Sequence, residues 1–275
     1  EPSCTAPCTG ISTATGTKMP RSASIAMPPP TPNDAVSAEV KKLAATIGFT
    51  ALVATGLPAF AQSAPAPESP HTFSANVTLA SEYRFRGIMQ TNRKPALQGG
   101  FDYAHASGFY IGNWNSTISW LSDGNSEISS ALEMDFYAGY KGQITDNVSY
   151  DVGVLQYYYP GSYPTGFNKA DTTELYASVG YGPVALKYSH AVTDTFGFND
   201  SRNSYYVELN GNFDTGFWGL TVNTHVGYQK IKNVTDASYT DWKIGLTKDL
   251  GAGFSGALAY VDTNAKKAVY TNAFG

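Results

Sequence analysis

Glu82, Arg84 and Arg86 stand at every second position of the stretch SEYRFRGIMQT (81–91), with Tyr83, Phe85 and Gly87 between them. Fixed charges at that spacing can hold neighbouring strands together through opposite-charge pairs. They can also bias which solutes pass, as charged rings do in pores. Catalytic arrangements are harder to assemble from this sequence, whose histidines are His71, His105, His190 and His225. Ser189 and His190 are adjacent, so in a strand they point to opposite faces and share no site. His225 with an Asp or Glu of a neighbouring strand is the remaining acid–base pair, and a hydrogen-bonded wall histidine is its plainer account. No His or carboxylate pair has close metal-ligand spacing backed by a second pair. The loop FNDSRN (198–203) offers oxygens for a cation, as many surface loops do. Glycine-rich phosphate cradles are absent. The expectation is a protein that is not an enzyme and carries no cofactor or metal.

Composition narrows the class. The chain has 275 residues, 42% hydrophobic and 15% charged, enough for one ordinary domain or two small ones. Its 18 Lys and Arg against 22 Asp and Glu leave no basic surplus for nucleic acid. Aromatic residues make up 13% of the chain, and all 19 tyrosines lie beyond residue 80, so the first quarter obeys different rules from the rest.

Lys41 and Lys42 precede LAATIGFTALVATGLPAFAQ, an apolar run broken by Pro58 and closing on Ala59, Phe60 and Ala61. A positive flank, a short apolar stretch and an A-x-A site make a secretory signal peptide, read here as residues 40–61 with cleavage after Ala61. The run falls short of the roughly 20 residues of a membrane-spanning helix. Residues 1–39, rich in Pro, Ser and Thr with PPPTP at 28–32, form a doubtful or disordered leader, with the true start expected near Met27 or Val40. Residues 62–71 read as a Pro-rich linker. Cys4 and Cys8 both fall in the leader, so the exported chain has no disulfide, thiol nucleophile or cysteine-ligated metal.

From residue 72 to 275, side chains alternate between apolar and polar in eleven segments, approximately 72–88, 95–105, 109–119, 131–144, 148–158, 173–182, 184–194, 204–214, 219–230, 239–249 and 254–262. Most match the about 9–11 residues that a transmembrane strand needs, and exceed the about 5–6 usual in soluble domains. Connections alternate too. ASG (106–108), TDN (145–147), GP (182–183) and TGFW (215–218) are short, whereas 120–130, 159–172 and 195–203 are long. Short turns at one end and long loops at the other are the habit of outer-membrane barrels.

The two faces follow from the alternation. Phe73, Ala75, Val77, Leu79, Tyr83 and Phe85 oppose Ser74, Asn76, Thr78, Glu82, Arg84 and Arg86; Leu132, Met134, Phe136, Ala138 and Tyr140 oppose Glu133, Asp135, Tyr137 and Lys141. A charge facing lipid near the midplane costs about 2–4 kcal/mol, so the polar face must turn inward. The expected lumen-lining residues are Glu82, Arg84, Arg86, Asp102, Glu133, Asp135, Asp151, Glu174, Lys187, Glu208, His225 and Lys243. Rings near segment ends, among them Tyr83, Phe85, Tyr103, Tyr140, Tyr188, Phe213, Tyr228, Trp242 and Tyr260, are expected in the aromatic girdles.

YRFRGIMQT (83–91), PALQGGFDYAHASGFYIGNW (95–114) and GLTKDLGAGFSGALAYVDTNA (245–265) resemble the TorF-type porins, a proteobacterial group also labelled Gcw_chp and described as of unknown function. The similarity runs from about Phe73 to the end. It implies the outer membrane of a Gram-negative bacterium and a pore role, with no established substrate. Members continue into a last strand ending in an aromatic residue, so a missing twelfth strand is expected. The sequence therefore reads as an all-β, antiparallel up-and-down transmembrane β-barrel of 12 strands, about 11 of them present. Its partners would be outer-membrane lipid and small solutes diffusing passively. An outer-membrane enzyme, and a structural or adhesion barrel with a blocked lumen, are the alternatives.

Overall fold

The computed structural model describes residues 69–271. The expected leader, signal peptide with its Ala61 cleavage site, most of the linker and the expected twelfth strand lie outside the described residues. Eleven strands form one antiparallel sheet in chain order: β1 (His71–Ala80), β4 (Ala96–His105), β5 (Phe109–Thr117), β6 (Leu132–Thr145), β7 (Val148–Tyr158), β8 (Thr172–Tyr181), β9 (Val184–Ala191), β10 (Tyr205–Asp214), β11 (Leu220–Lys230), β12 (Tyr239–Gly251) and β13 (Phe254–Thr263). Two further strands, β2 (Arg84–Phe85) and β3 (Ile88–Met89), make a separate small hairpin. Helices are confined to α1 (Trp120–Gly124) and α2 (Lys267–Tyr270).

The alternation does what was expected of it, with the usual rule of burial inverted. Val77 is 77% exposed, Leu97 58%, Leu175 52% and Leu258 78%, while Glu133, Glu174, Gln98 and Asp241 are at most 1% exposed. Each is one residue out of phase with the neighbours of opposite character, because successive side chains leave opposite faces of a strand. The apolar face is the outside of the molecule, and the polar face encloses an interior.

The path of the chain after β1 shows that the sheet is rolled. Tyr83 reaches Glu133 on β6, Arg86 reaches Glu174 on β8 and Gln229 on β11, and Arg84 donates to the carbonyl of Val261 on β13 at 3.3 Å. Gly87 packs so tightly under Asp241 and Thr263 that an added Cβ would lie 2.6 and 2.9 Å from theirs. One short segment thus touches strands around the sheet, including its far edge. Among the described residues no ladder joins β1 to β13, so the roll has a seam there.

β1 stops at Ala80, eight residues short of the expected 88, and the chain turns into the barrel instead of continuing along the wall. Tyr83 (0% exposed) and Phe85 (8%) are therefore interior residues, not members of a lipid-facing girdle. Arg86 (φ 45°) and Gly87 (φ 81°) occupy the left-handed region, which breaks the extended run. His71 is also placed differently: it opens β1 and pairs with His105, where it was expected to precede the barrel.

Others of the expected girdle rings, among them Tyr140, Tyr188, Phe213, Tyr228, Trp242 and Tyr260, are exposed on the outer face. Near the long-loop end, Tyr188 and Tyr205 are 5.6 Å apart, Tyr205 and Tyr228 6.3 Å, and Trp242 and Tyr260 5.3 Å between ring centroids. Near the short-turn end, Phe73, Tyr103 and Phe109 form a second cluster, and Phe217 stacks on Trp218 at 4.9 Å. From Tyr205 to Phe213 on β10 is about 27 Å at ~3.4 Å per residue, or roughly 20 Å of height at a tilt of ~40°. An apolar band of about 25 Å is what outer-membrane barrels carry.

Candidate functional site

The interior has two halves, set by the end of the barrel each lies nearest. In the long-loop half, the inward segment 81–91 fills the space between the walls. Tyr83 donates to Glu133 Oε1 at 2.6 Å, and Tyr159 donates to its other oxygen at 2.8 Å. Tyr83 also lies edge-on to Trp114 at 5.5 Å. The Gln90 amide closes the segment on itself by donating to the Tyr83 carbonyl, and the Gln90 carbonyl ties it to its neighbours by accepting from the Ser119 and Trp120 amides. Losing the Tyr83 hydroxyl takes one of two phenol donors from a buried carboxylate, and a bond to a charged group is worth about 1.5–3 kcal/mol. Tyr83→Phe should lower the urea unfolding midpoint accordingly, and Tyr83→Phe in a Glu133→Gln background should lower it much less.

Arg86, 4% exposed, is the hub. Its guanidinium donates to both Glu174 oxygens at 2.9 and 2.7 Å, to Gln229 Oε1 at 2.7 Å and to Tyr157 Oη at 3.4 Å. Its Cζ lies 4.2 Å from the Tyr206 ring centroid and 4.7 Å from that of Phe85. Such a two-pronged pair is directional as well as strong. It is formed between the segment and the wall, across 88 residues of sequence.

Towards the short-turn end the interior is walled by pairs of rings and ions. Tyr110 donates to Asp151 at 2.5 Å and meets the Tyr176 hydroxyl; Tyr137 donates to Asp102 at 2.6 Å. His225 lies between Asp241, 2.9 Å from Nε2, and Asn210, 2.7 Å from Nδ1, with Glu208 at 3.5 Å. Tyr206 and Asp241, near the long-loop ends of β10 and β12, link His225 to the Arg86 hub: Tyr206 donates to Asp241 at 2.8 Å and its ring lies under the guanidinium. Lys187 stands over the Tyr176 ring at 4.2 Å and Lys141 over that of Tyr110 at 5.1 Å. A cavity of about 210 Å³ opens here, lined by His105, Lys141, Gln143, Tyr150, Asp151 and Ser178 among others.

Of the expected lumen residues, Asp102, Glu133, Asp135, Asp151, Glu174, Lys187, Glu208, His225 and Lys243 come from the wall. Cross-strand register sets Lys141 against Asp151, Lys187 against Glu208 and His225 against Lys243. Arg84 and Arg86 come instead from the inward segment, where Glu82 pairs with Arg84 at 2.6 Å. Ser189 is buried inside while His190 faces out beside Tyr188, so they form no joint site. Among the described residues no group of three or more His, Asp or Glu side chains is placed to hold a metal ion.

Sequence reasoning missed the glycines that face these rings. A Cβ on Gly153 would lie 2.5 Å from Tyr176 Oη, one on Gly112 would overlap the Tyr137 ring, and those on Gly139 and Gly227 would overlap Tyr110 and Tyr206. In three of the four, ring and glycine are direct cross-strand partners: Tyr110 with Gly139, Tyr137 with Gly112, and Tyr176 with Gly153. Each tyrosine lies flat across its neighbour strand because nothing projects there. Only the register reveals the pairing.

In the long loop 159–171, burial lifts the Asp171 carboxyl above its usual range, although the Tyr159 amide donates to it at 2.9 Å.

The family profile of Gcw_chp, described as bacterial protein of unknown function, matches residues 64–275. The chain belongs to the Gcw_chp family. That match takes in every strand of the barrel and the inward segment. No curated protein matches the chain. Among solved structures, the crystal structure of Pseudomonas aeruginosa OpdQ is similar at 11% identity, with a TM-score of 0.28, covering 71% of this chain and 63% of that one. The chain thus spans less than two thirds of that structure's length. No helix among the described residues is long and apolar enough to cross a membrane.

Proposed function

We propose that this Gcw_chp member is an outer-membrane β-barrel of porin type, exported by a signal peptide and passing small solutes by diffusion. The observation that carries this is the inverted polarity: a continuous apolar exterior between two rims of rings, around an interior of buried carboxylates, lysines and tyrosines. In water such an exterior would aggregate; in a bilayer it is the natural contact surface. The His225 cluster is part of the wall, not a catalytic centre. The test is fractionation of expressing cells followed by current recording in planar bilayers. The protein should sediment with outer membranes, need detergent for extraction and give discrete conductance steps. A chain that stays monodisperse without detergent would overturn the proposal.

A barrel with a permanently filled interior is the second reading, favoured by the segment 81–91 packed between the walls. It predicts the same location and no current.

A further inference from the structure

We propose that residues 81–91 are a displaceable plug latched by Arg86, and that the passage beneath it selects small cations. This rests on the porin-type reading above and names its substrate class.

The mode of attachment is the first argument. Wall strands hold one another through ladders of seven or more residue pairs, whereas the β2–β3 hairpin has two pairs and shares no ladder with the wall. Side chains, chiefly Arg86 and Tyr83, hold it in place. Left-handed residues mark its bends: Arg86 and Gly87 at the tip, Asn92 (φ 48°) and Arg93 (φ 61°) at the exit. It can leave the interior without breaking a single wall ladder.

Charge is the second argument. Facing the plug are Glu133, Asp135, Glu174 and Asp241, all buried, and the plug brings Arg86 to them, while Arg84 is paired with its own neighbour Glu82. Further from the plug the wall carries Asp102, Asp151 and Glu208 together with Lys141, Lys187 and Lys243. These seven wall carboxylates outnumber the three wall lysines named with them. Arg86 both locks the plug and cancels part of that excess, so its departure opens the route and makes it more negative at once. Fixed charge of one sign in a narrow tube concentrates counter-ions, and carboxylate rings favour cations.

The experiment records the full chain, Arg86→Gln, Glu174→Gln and a chain with residues 82–90 replaced by a Gly-Ser link in planar bilayers under a KCl gradient. Folding is checked for each by heat-modifiable gel migration. Weakening the latch should raise the open fraction by roughly tenfold or more, a shift within reach of a few lost contacts. The reversal potential should lie towards that of potassium, most of all in the plugless chain. Wild-type and latch variants with equal, large currents would overturn the latch and leave the porin-type reading standing. Opening with a reversal potential at zero or towards chloride would overturn the cation preference. A folded plugless chain that passes no current would overturn the pore itself.

Discussion

Leu209→Arg should cost about 2–4 kcal/mol and impair insertion, because Leu209 sits in the middle of β10 on the outer face, between Leu186 and Val226 of its neighbours. All three are about half exposed in the isolated molecule, so an arginine there meets lipid. Asn212→Arg, on the same strand but the inner face near the short-turn mouth, places the same charge in water and should be nearly neutral. Urea titrations in bilayers of defined thickness, read by tryptophan fluorescence, measure both. Equal penalties at the two positions would mean that the faces have been assigned wrongly.

Gly227→Val should be at least as damaging, by a different route. The added side chain would occupy the volume of the Tyr206 ring, which is 1% exposed and bonded to Asp241 and His225. Overpacking alone costs typically about 1–3 kcal/mol, and detaching Tyr206 from a buried carboxylate adds about 1.5–3. Removing the ring should restore room: Gly227→Val combined with Tyr206→Ala should be more stable than the sum of the single changes, by a coupling of about 0.5–3 kcal/mol. A double mutant that is merely additive would show that the ring and the glycine do not compete for space.

Much of the wall was legible from the sequence. The segment 148–158 was expected with the bounds it has, and most others agree within two or three residues at each end. The reason is physical: a strand with lipid on one side and an ionic interior on the other must alternate strictly, and the alternation stops where the strand does. That logic failed at residues 81–88, where Tyr83, Arg84, Phe85 and Arg86 keep the same period in a segment that belongs to no wall. The length held the warning, since an expected strand of 72–88 is well beyond the about 9–11 residues needed to cross. Gly87, one residue after Arg86, was the other available sign. Wall positions such as Glu174, Glu208 and His225 were found because they needed only the period. The hub around Arg86 needed the fold, since its partners Tyr157, Glu174, Tyr206 and Gln229 come from β7, β8, β10 and β11. The tyrosine–glycine contacts were invisible for the same reason.

The place of the inward segment in the chain bears on how the molecule is made. It lies between β1 and β4, ahead of nearly every strand whose side chains it gathers. Residues 81–91 bond to Glu133, Glu174 and Gln229 of β6, β8 and β11, so the hub is complete only when those strands have come together around the segment. The segment is then a mandrel as much as a stopper. Strands that close around it hand their ionic side chains to a waiting partner, so that Glu133 and Glu174 are bonded as the cylinder forms.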